Sequence, residues 1–388
     1  MTGDLTDQQR AVRELARDFA RNEIAPHSAR WNAEHHVPVE TLAKMAELGF
    51  LGLVVPEDYG GAGLDHTTVC LVMEEIAAAD AGISVAFAVQ NGLAAEPILH
   101  YGTDRQKEDW LPKLASGERF GCYALTEPDA GSDVAALKTR GIRAEDGSFT
   151  VNGSKMWISA GGYASMFILF ARTEAPGARG ISAFIAEPGD GLTVGREIEK
   201  LGLHSSSTVE LAFSDLHVEA DAMLGSPGQG MQIALSTLDG GRITVAAQAV
   251  GIARAALDLA TGYAKERSAF GGPIARFQGV QFPLADVAAK IDAARALTLL
   301  AAQLHDAGRP FTVAGAKAKL FASQVAVEAS HVAVQTLGGM GYSAEFPAER
   351  LYRDARITEI YEGTSQIQRL VIARHLFGDA ARGETPTA

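Results

Sequence analysis

The sequence predicts a mostly α chain with a small β domain at its centre. Two observations predict this. Apolar residues recur at helical spacing through residues 6–119 and again from about residue 235. Between them, residues 120–234 break into short β-rich runs separated by turn signals. The implied domains are an N-terminal helical domain over 1–119, a central β domain over 120–234 and a C-terminal helical bundle over 235–388.

The elements follow in order. "TDQQRAVRELARDFARNEIAPH" reads as a helix with Thr6 as N-cap and Pro26 near its stop. "VETLAKMAELGF" is a second helix, ending at Gly49. "GLVVPEDYGGAG" is a Gly/Pro-rich loop, and residues 65–102 read as long apolar helices. The β-rich runs are "FGCYALTE", "TRGIRAEDGSFTVNGSKMWIS", "SMFILFART", "GISAFIAEP", "LTVGREIEK" and "TVELAFSDLHV". Asp146-Gly147, Asn152-Gly153, Pro188-Gly189 and Asp190-Gly191 read as turns between them. No helical crossover joins these runs, so an antiparallel sheet is expected. Helices then cover residues 238–267, 282–308, 312–339, 348–357 and 365–378, before a polar tail, "DAARGETPTA".

Composition removes several functions. The net charge of −13 argues against a general binder of nucleic acid or anionic membrane, while leaving room for an anionic small ligand in a local basic pocket. No apolar run is expected to be long enough to span a bilayer, and "MTGDLTDQQR" has neither the basic start nor the apolar core of a signal peptide. Cys70 and Cys122 offer no disulfide framework, so a reducing cytoplasm is expected. The "NGS" at Asn152 reads as an ordinary turn. G-x-G-x-x-G after a strand, a P-loop, H-E-x-x-H and G-x-S-x-G are all absent. The ten histidines show no metal-ligand spacing, and no metal is expected.

Several stretches could carry chemistry. "CYALTEPDAGSD" ends a strand in a Gly/Ser/Thr-rich loop whose N–H groups could face an electron-rich ring edge or an anion; a capped turn with Glu127 and Asp129 solvated is the alternative. "MWIS" sets Trp157 on a strand, where a core tryptophan is the alternative. "LDGGRI" places Asp239 near the start of a long helix, where an acid suits the helix dipole without any function, and Arg242 one turn in. "RSAFGGPIARFQ" puts Arg267 and Gln278 around a Gly-Gly-Pro loop, and "QTLGG" could be a helix C-cap. "IYEGTSQIQR" sets Glu362 between Tyr361 and Gly363. That acid either precedes a helix or takes a proton from carbon in a water-poor pocket, where desolvation raises its pKa.

These motifs, in this order and over essentially the whole chain, resemble the acyl-CoA dehydrogenases, the short-chain and short branched-chain enzymes most. The resemblance implies the fold named above and FAD as cofactor. It lays Tyr123, Ala124, Leu125, Thr126 and Ser132, with Trp157, Ile158 and Ser159, along the flavin. It adds Gln335, Thr336, Leu337, Gly338, Gly339, Thr364, Ser365 and Gln366 as further FAD contacts. It puts Arg267 and Gln278 on the FAD of a neighbouring subunit, which implies at least a dimer, adds Phe270 as an FAD contact, and suggests a homotetramer built as a dimer of dimers. Ser132, Asp239, Gly240, Gly241, Arg242 and Gly363 are implied to meet the acyl-CoA substrate. Relatives resembling isovaleryl-CoA dehydrogenase carry their catalytic glutamate where this chain has Gly241, so Glu362 is implied as the base.

The implied reaction is α,β-dehydrogenation of an acyl-CoA to a trans-2-enoyl-CoA. A proton leaves Cα for Glu362 and a hydride leaves Cβ for flavin N5. The thioester oxygen is polarised by the flavin ribityl hydroxyl and the Glu362 N–H, and electrons pass to an electron-transfer flavoprotein. Acyl length and pathway, whether fatty acid, branched-chain amino acid or sterol breakdown, stay open. So do an oxygen-using acyl-CoA oxidase and a non-enzymatic flavoprotein that binds a macromolecule.

Overall fold

The protein is described from a computed structural model covering residues 5–174 and 177–378. The Thr6 hydroxyl accepts from the Gln9 N–H while the Gln9 side chain accepts from the Thr6 N–H, a capping box that starts helix Asp7–Phe19. Contrary to the sequence expectation, Pro26 does not stop it. A π turn, Ala20–Ile24, runs directly into a further helix, Ala25–Glu34. Pro26 thus falls in the first turn of a new α-helical segment, where its missing N–H costs least. The same device recurs where the π segment Val89–Ala95 precedes helix Glu96–Tyr101 and Pro97. Gly49, at φ 75°, ends the second helix as expected.

The central domain is an eight-stranded sheet: β1 (Gly121–Ala124), β2 (Arg140–Arg143), β3 (Phe149–Ser159), β4 (Met166–Arg172), β5 (Ile181–Ala186), β6 (Leu192–Glu197), β7 (Thr208–Val218) and β8 (Met223–Leu224). The main order is β6-β7-β3-β2-β4-β5-β8, with β1 on β4. Most ladders are antiparallel, but β1 lies parallel to β4 and β2 touches β4 in parallel. β1 arrives from the helical domain rather than through a hairpin, so no tight turn forces it antiparallel.

Asn152-Gly153 is not a turn. It is a bulge inside β3, where the register to β7 slips between Val151 and Gly153. A Cβ on Gly153 would lie 2.6 Å from Thr139 Oγ1, so the backbone passes where no side chain fits. Asn152 donates to Asp215 Oδ1 at 2.9 Å.

The C-terminal domain packs helices Gly230–Glu266, Gln278–Asp306 and Thr312–Leu337 with the shorter Ala348–Ile357 and Ser365–Phe377. The first begins at Gly230, ahead of the expected boundary. It is also long and apolar enough to cross a bilayer by length and composition, which the sequence reading did not expect. Yet 72% of its most apolar window is buried inside the protein, as in a core helix. Buried charges tie the helical domains together: Glu75 accepts from Arg13, Arg17 and Arg254, and Glu74 from Arg295. A second clamp places His66 between Glu96 and Asp306, with the His305 ring packed on it. His66, His305 and Asp306 form a cluster of potential metal ligands, but carboxylates engage both ring nitrogens of His66.

Candidate active site

All three domains converge on a cavity of about 660 Å³. The N-terminal helices contribute Val85, Val89 and Leu93. The β domain contributes Tyr123, Leu125, Thr126, Ser132, Trp157 and Ser159. The C-terminal helices and the loop before the last helix contribute Leu238, Arg242, Tyr361, Glu362, Gly363 and Thr364.

Glu362 sits in a sharp reversal between helices Ala348–Ile357 and Ser365–Phe377. It adopts φ 54° and Gly363 follows at φ 88°, so two left-handed residues turn the chain. Glycine takes this conformation freely, whereas for glutamate it costs about 1–2 kcal/mol. Glu362 is therefore no first-turn acid. Thr364 is the N-cap, its hydroxyl accepting from the Ile367 N–H, and Glu362 stands two residues outside it.

The strained turn is held from several sides. Gln368 donates to the carbonyls of Glu362 and Gly363 at 3.3 and 2.8 Å. Lys319 donates to the Gly363 carbonyl at 2.8 Å. The Tyr361 hydroxyl donates to Gln248 Oε1, and the Gln248 amide donates to Ser84 Oγ at 2.9 Å. The Glu362 carboxylate itself is left free: its Oε2 is buried with no hydrogen-bond partner. Burial pushes its pKa up to about 7, opposed by the positive charges of Lys319 and Arg242.

Gly241 explains where that carboxylate fits. A Cβ at this position would lie 2.7 Å from Glu362 Oε2, so only glycine leaves room for it. Asp239 and Arg242 are not near a helix start. They lie more than two turns into helix Gly230–Glu266, and Asp239 pairs with Arg242 Nη1 while accepting from Thr312 Oγ1 at 2.6 Å. The pairing aligns Arg242, which lines the cavity, and leaves its Nε buried without a partner.

The loop after β1 corrects the solvated reading for Glu127 and bears it out for Asp129. Glu127 is buried and receives Lys155 Nζ at 2.9 Å and the N–H groups of Lys138 and Thr139 at 2.5 and 2.9 Å. Asp129 is exposed and pairs with Lys138. The Glu127–Lys155 pair fixes the loop so that Thr126 and Ser132 reach the cavity. Trp157 is not a core residue. It has φ 62°, sits at the second bulge of β3, and stands 52% exposed in the cavity wall.

Other expected site residues lie apart. Ala124 and Ile158 are buried in the sheet core. Arg267, Phe270 and Gln278 are exposed around the hairpin Ser268–Ala269/Gly272–Pro273, with Phe270 90% exposed. Gly338, at φ 61°, caps helix Thr312–Leu337. Around it Gln335 and Gly339 are exposed, Thr336 is half-buried and Leu337 is buried. Ser365 is buried and Gln366 exposed. Gly240 is buried with Glu96 Oε2 close to its Cβ position.

Sequence reasoning missed Lys319, Gln248, Lys155 and the lining segment 199–203. One signal was present for Lys319: it falls in the buried stripe of Gly315, Ala316, Ala322, Ser323 and Ala326, at helical spacing.

The residues present fit a flavin. An aromatic face stands open in the cavity wall, and the hydroxyls of Thr126 and Ser132 find no partner among the described residues. Arg267 is exposed and makes no ion pair among the described residues.

Comparison with known proteins agrees. Family models for the acyl-CoA dehydrogenase N-terminal, middle and C-terminal domains match residues 6–118, 122–216 and 228–377. The mitochondrial short-chain specific acyl-CoA dehydrogenase of Bos taurus is 48% identical over 375 residues, covering 96% of this chain and 91% of the relative. The short-chain specific enzyme of Clostridium acetobutylicum is 44% identical, covering 97% of this chain and 100% of the relative. Among solved structures, butyryl-CoA dehydrogenase of Megasphaera elsdenii superposes with a TM-score of 0.95 at 44% identity, covering 97% of this chain and 100% of that one. The chain belongs to the acyl-CoA dehydrogenase family, the FAD-dependent enzymes that dehydrogenate acyl-CoA thioesters.

Proposed function

We propose that this enzyme acts on short acyl-CoA thioesters, with Glu362 as the base that removes the Cα proton. One observation carries the assignment of the base: a buried carboxylate with an unpartnered oxygen, at the cavity wall, on a turn held from both sides. The proton of a thioester Cα is weakly acidic, and a desolvated base with a pKa near 7 is matched to accept it at neutral pH. The Glu362 N–H makes no hydrogen bond among the described residues and suits a thioester oxygen, which gains charge as the proton leaves. The apolar wall of Val85, Val89 and Leu93 keeps water from the acyl chain. FAD, when bound, supplies the acceptor for the hydride that leaves Cβ; Thr126, Trp157 and Ser159 would hold it from this chain.

The short-chain assignment leans on relatives named for short-chain acyl-CoA and butyryl-CoA. A homotetramer fits the exposed positions of Arg267, Phe270 and Gln278, which would meet the FAD of another copy. An electron-transfer flavoprotein suits the acceptor role, and a reducing cytoplasm suits two buried free thiols, Cys70 and Cys122.

Glu362→Gln keeps the shape and removes the base. Anaerobic flavin bleaching by a panel of acyl-CoAs should fall about 100- to 10,000-fold with FAD content intact. Bleaching at the wild-type rate rejects Glu362. The panel itself reads the preferred chain length. A second reading, an oxidase, draws on the likeness to a prolyl acyl carrier protein oxidase, at a TM-score of 0.92 and 30% identity over 96% of this chain and 100% of that one. Peroxide formation in air separates the two.

A further inference from the structure

Lys319 is a buried cation without a neutralising partner. Its side chain is wholly removed from solvent, in the middle of helix Thr312–Leu337, and makes no ion pair among the described residues. Its single hydrogen bond goes to the carbonyl oxygen of Gly363, at 2.8 Å. Burying a cation this way is expensive, and a methionine would fill the same stem without the cost. Nothing in the helix needs the charge.

The surroundings show what does. The Gly363 carbonyl also accepts from Gln368, so two donors grip the residue after Glu362. The negative charges that Lys319 feels are those of Glu362 first and Glu359 second. The groups facing Glu362 come from four elements. Arg242 and Asp239, on helix Gly230–Glu266, largely neutralise each other. Tyr123, on β1, and Tyr361, on the same loop, are both buried phenols that burial keeps neutral. Lys319 is thus the one positive charge at the turn that no carboxylate of its own offsets, among the described residues. Burial lowers its own pKa to about 8, which still leaves it largely protonated at neutral pH.

We propose that Lys319 is a positioning residue for the dehydrogenation: it fixes the Glu362–Gly363 turn through the Gly363 carbonyl, and its charge keeps the Glu362 carboxylate ionised in a site that would otherwise protonate it. The inference rests on Glu362 as the base. Lys319 touches no reacting atom. It acts on a carboxylate that has no hydrogen bond to hold its charge.

The test is the pH dependence of anaerobic flavin bleaching in FAD-loaded wild type, Lys319→Met and Lys319→Gln. Bleaching rises with pH as Glu362 ionises. An opposite charge beside a carboxylate commonly moves it by about one to three units, and Lys319 acts on Glu362 without forming an ion pair with it, so the lower end applies. In Lys319→Met the midpoint should therefore move up by about one unit, with about fivefold slower bleaching at neutral pH and recovery in alkali. Lys319→Gln retains a donor for the Gly363 carbonyl and should show the same upward shift, which separates charge from tethering. It also decides the matter if Lys319→Met fails to fold. A folded, FAD-loaded variant with the wild-type midpoint overturns the proposal, as does a loss that is uniform at every pH. Glu362→Gln distinguishes the two levels. If it bleaches normally, the assignment of the base fails; if it is inactive while the Lys319 variants keep the wild-type midpoint, only the role of Lys319 fails.

Discussion

Gly241→Ala tests the site with a single methyl group. The new Cβ would lie 2.7 Å from Glu362 Oε2 and 3.1 Å from its Cδ, where ordinary contact begins near 3.4 Å. The opposing atoms are the end of a flexible side chain, so Glu362 gives way rather than the helix. Alanine also favours a helix interior by about 1 kcal/mol over glycine, which offsets residual strain. Melting temperature and FAD content should therefore stay close to wild type.

Catalysis should not. The carboxylate must retreat by about 0.7 Å to restore contact distance, and a displacement near 1 Å in a reacting pair costs about 100-fold. Anaerobic bleaching by butyryl-CoA should slow by about 10- to 100-fold. The paired variant Gly241→Glu/Glu362→Gly moves the acid onto the helix, into the space the native carboxylate leaves. It should bleach faster than Glu362→Gly alone. Wild-type bleaching by Gly241→Ala would refute the placement of the working carboxylate against residue 241.

Lys155→Met leaves the Glu127 carboxylate buried without its cation and should cost about 3–5 kcal/mol, read by thermal melting of the holoenzyme; a loss below about 1 kcal/mol counts against the pair. Arg267→Ala should release FAD and loosen the assembly, seen as falling flavin absorbance and later elution on size exclusion, and full FAD occupancy in a monomer contradicts a shared site. For His66, burial opposes the charge, but hydrogen bonds to Asp306 and Glu96 prevail and raise its pKa to about 9. A raised folded pKa gives stability that is complete below the unfolded value near 6.5 and lost as pH rises through about 9. Urea unfolding should show this decline, up to about 3 kcal/mol, and His66→Gln should remove it; the same slope in both proteins rejects the clamp.

Local signals in the sequence carried much of the fold. Thr6 followed by Gln9 specifies a capping box without any tertiary help, and Gly49 ends a helix because its φ is positive. Asp146-Gly147 does turn the chain between β2 and β3. Asn152-Gly153 carries the same signal and makes a bulge, because Thr139 packs behind Gly153 and no local rule contains that neighbour. Pro26 reads as a stop from the sequence; the π turn that admits it depends on how the helix packs. The site divides the same way. Motif resemblance gathered Thr126, Ser132, Trp157, Arg242 and Glu362, which do line one cavity. Hydrophobic periodicity marks Lys319 as facing inward but not what it faces, since a helical stripe records burial and not partners.

The unpartnered atoms give an independent reading of the same place. Buried polar side-chain atoms are nearly always hydrogen-bonded, and each exception costs about 1–3 kcal/mol. Among the described residues the exceptions are Glu362 Oε2, Ser365 Oγ, Gln368 Oε1, Arg242 Nε and Trp31 Nε1. Three of these belong to the turn of Glu362 and the first residues after it, and Arg242 follows the glycine that the carboxylate rests against. That turn also holds a glutamate in a left-handed conformation and takes its support from a buried lysine. Each of these costs stability, and separately each could be an accident of packing. Their coincidence at one cavity wall means that the surrounding helices, the Gln368 and Lys319 tethers and the Tyr361–Gln248 link hold the turn against its own preferences. A carboxylate left unsatisfied in this way has its proton affinity free for a substrate, and satisfying it with a protein donor would remove the property the reaction needs.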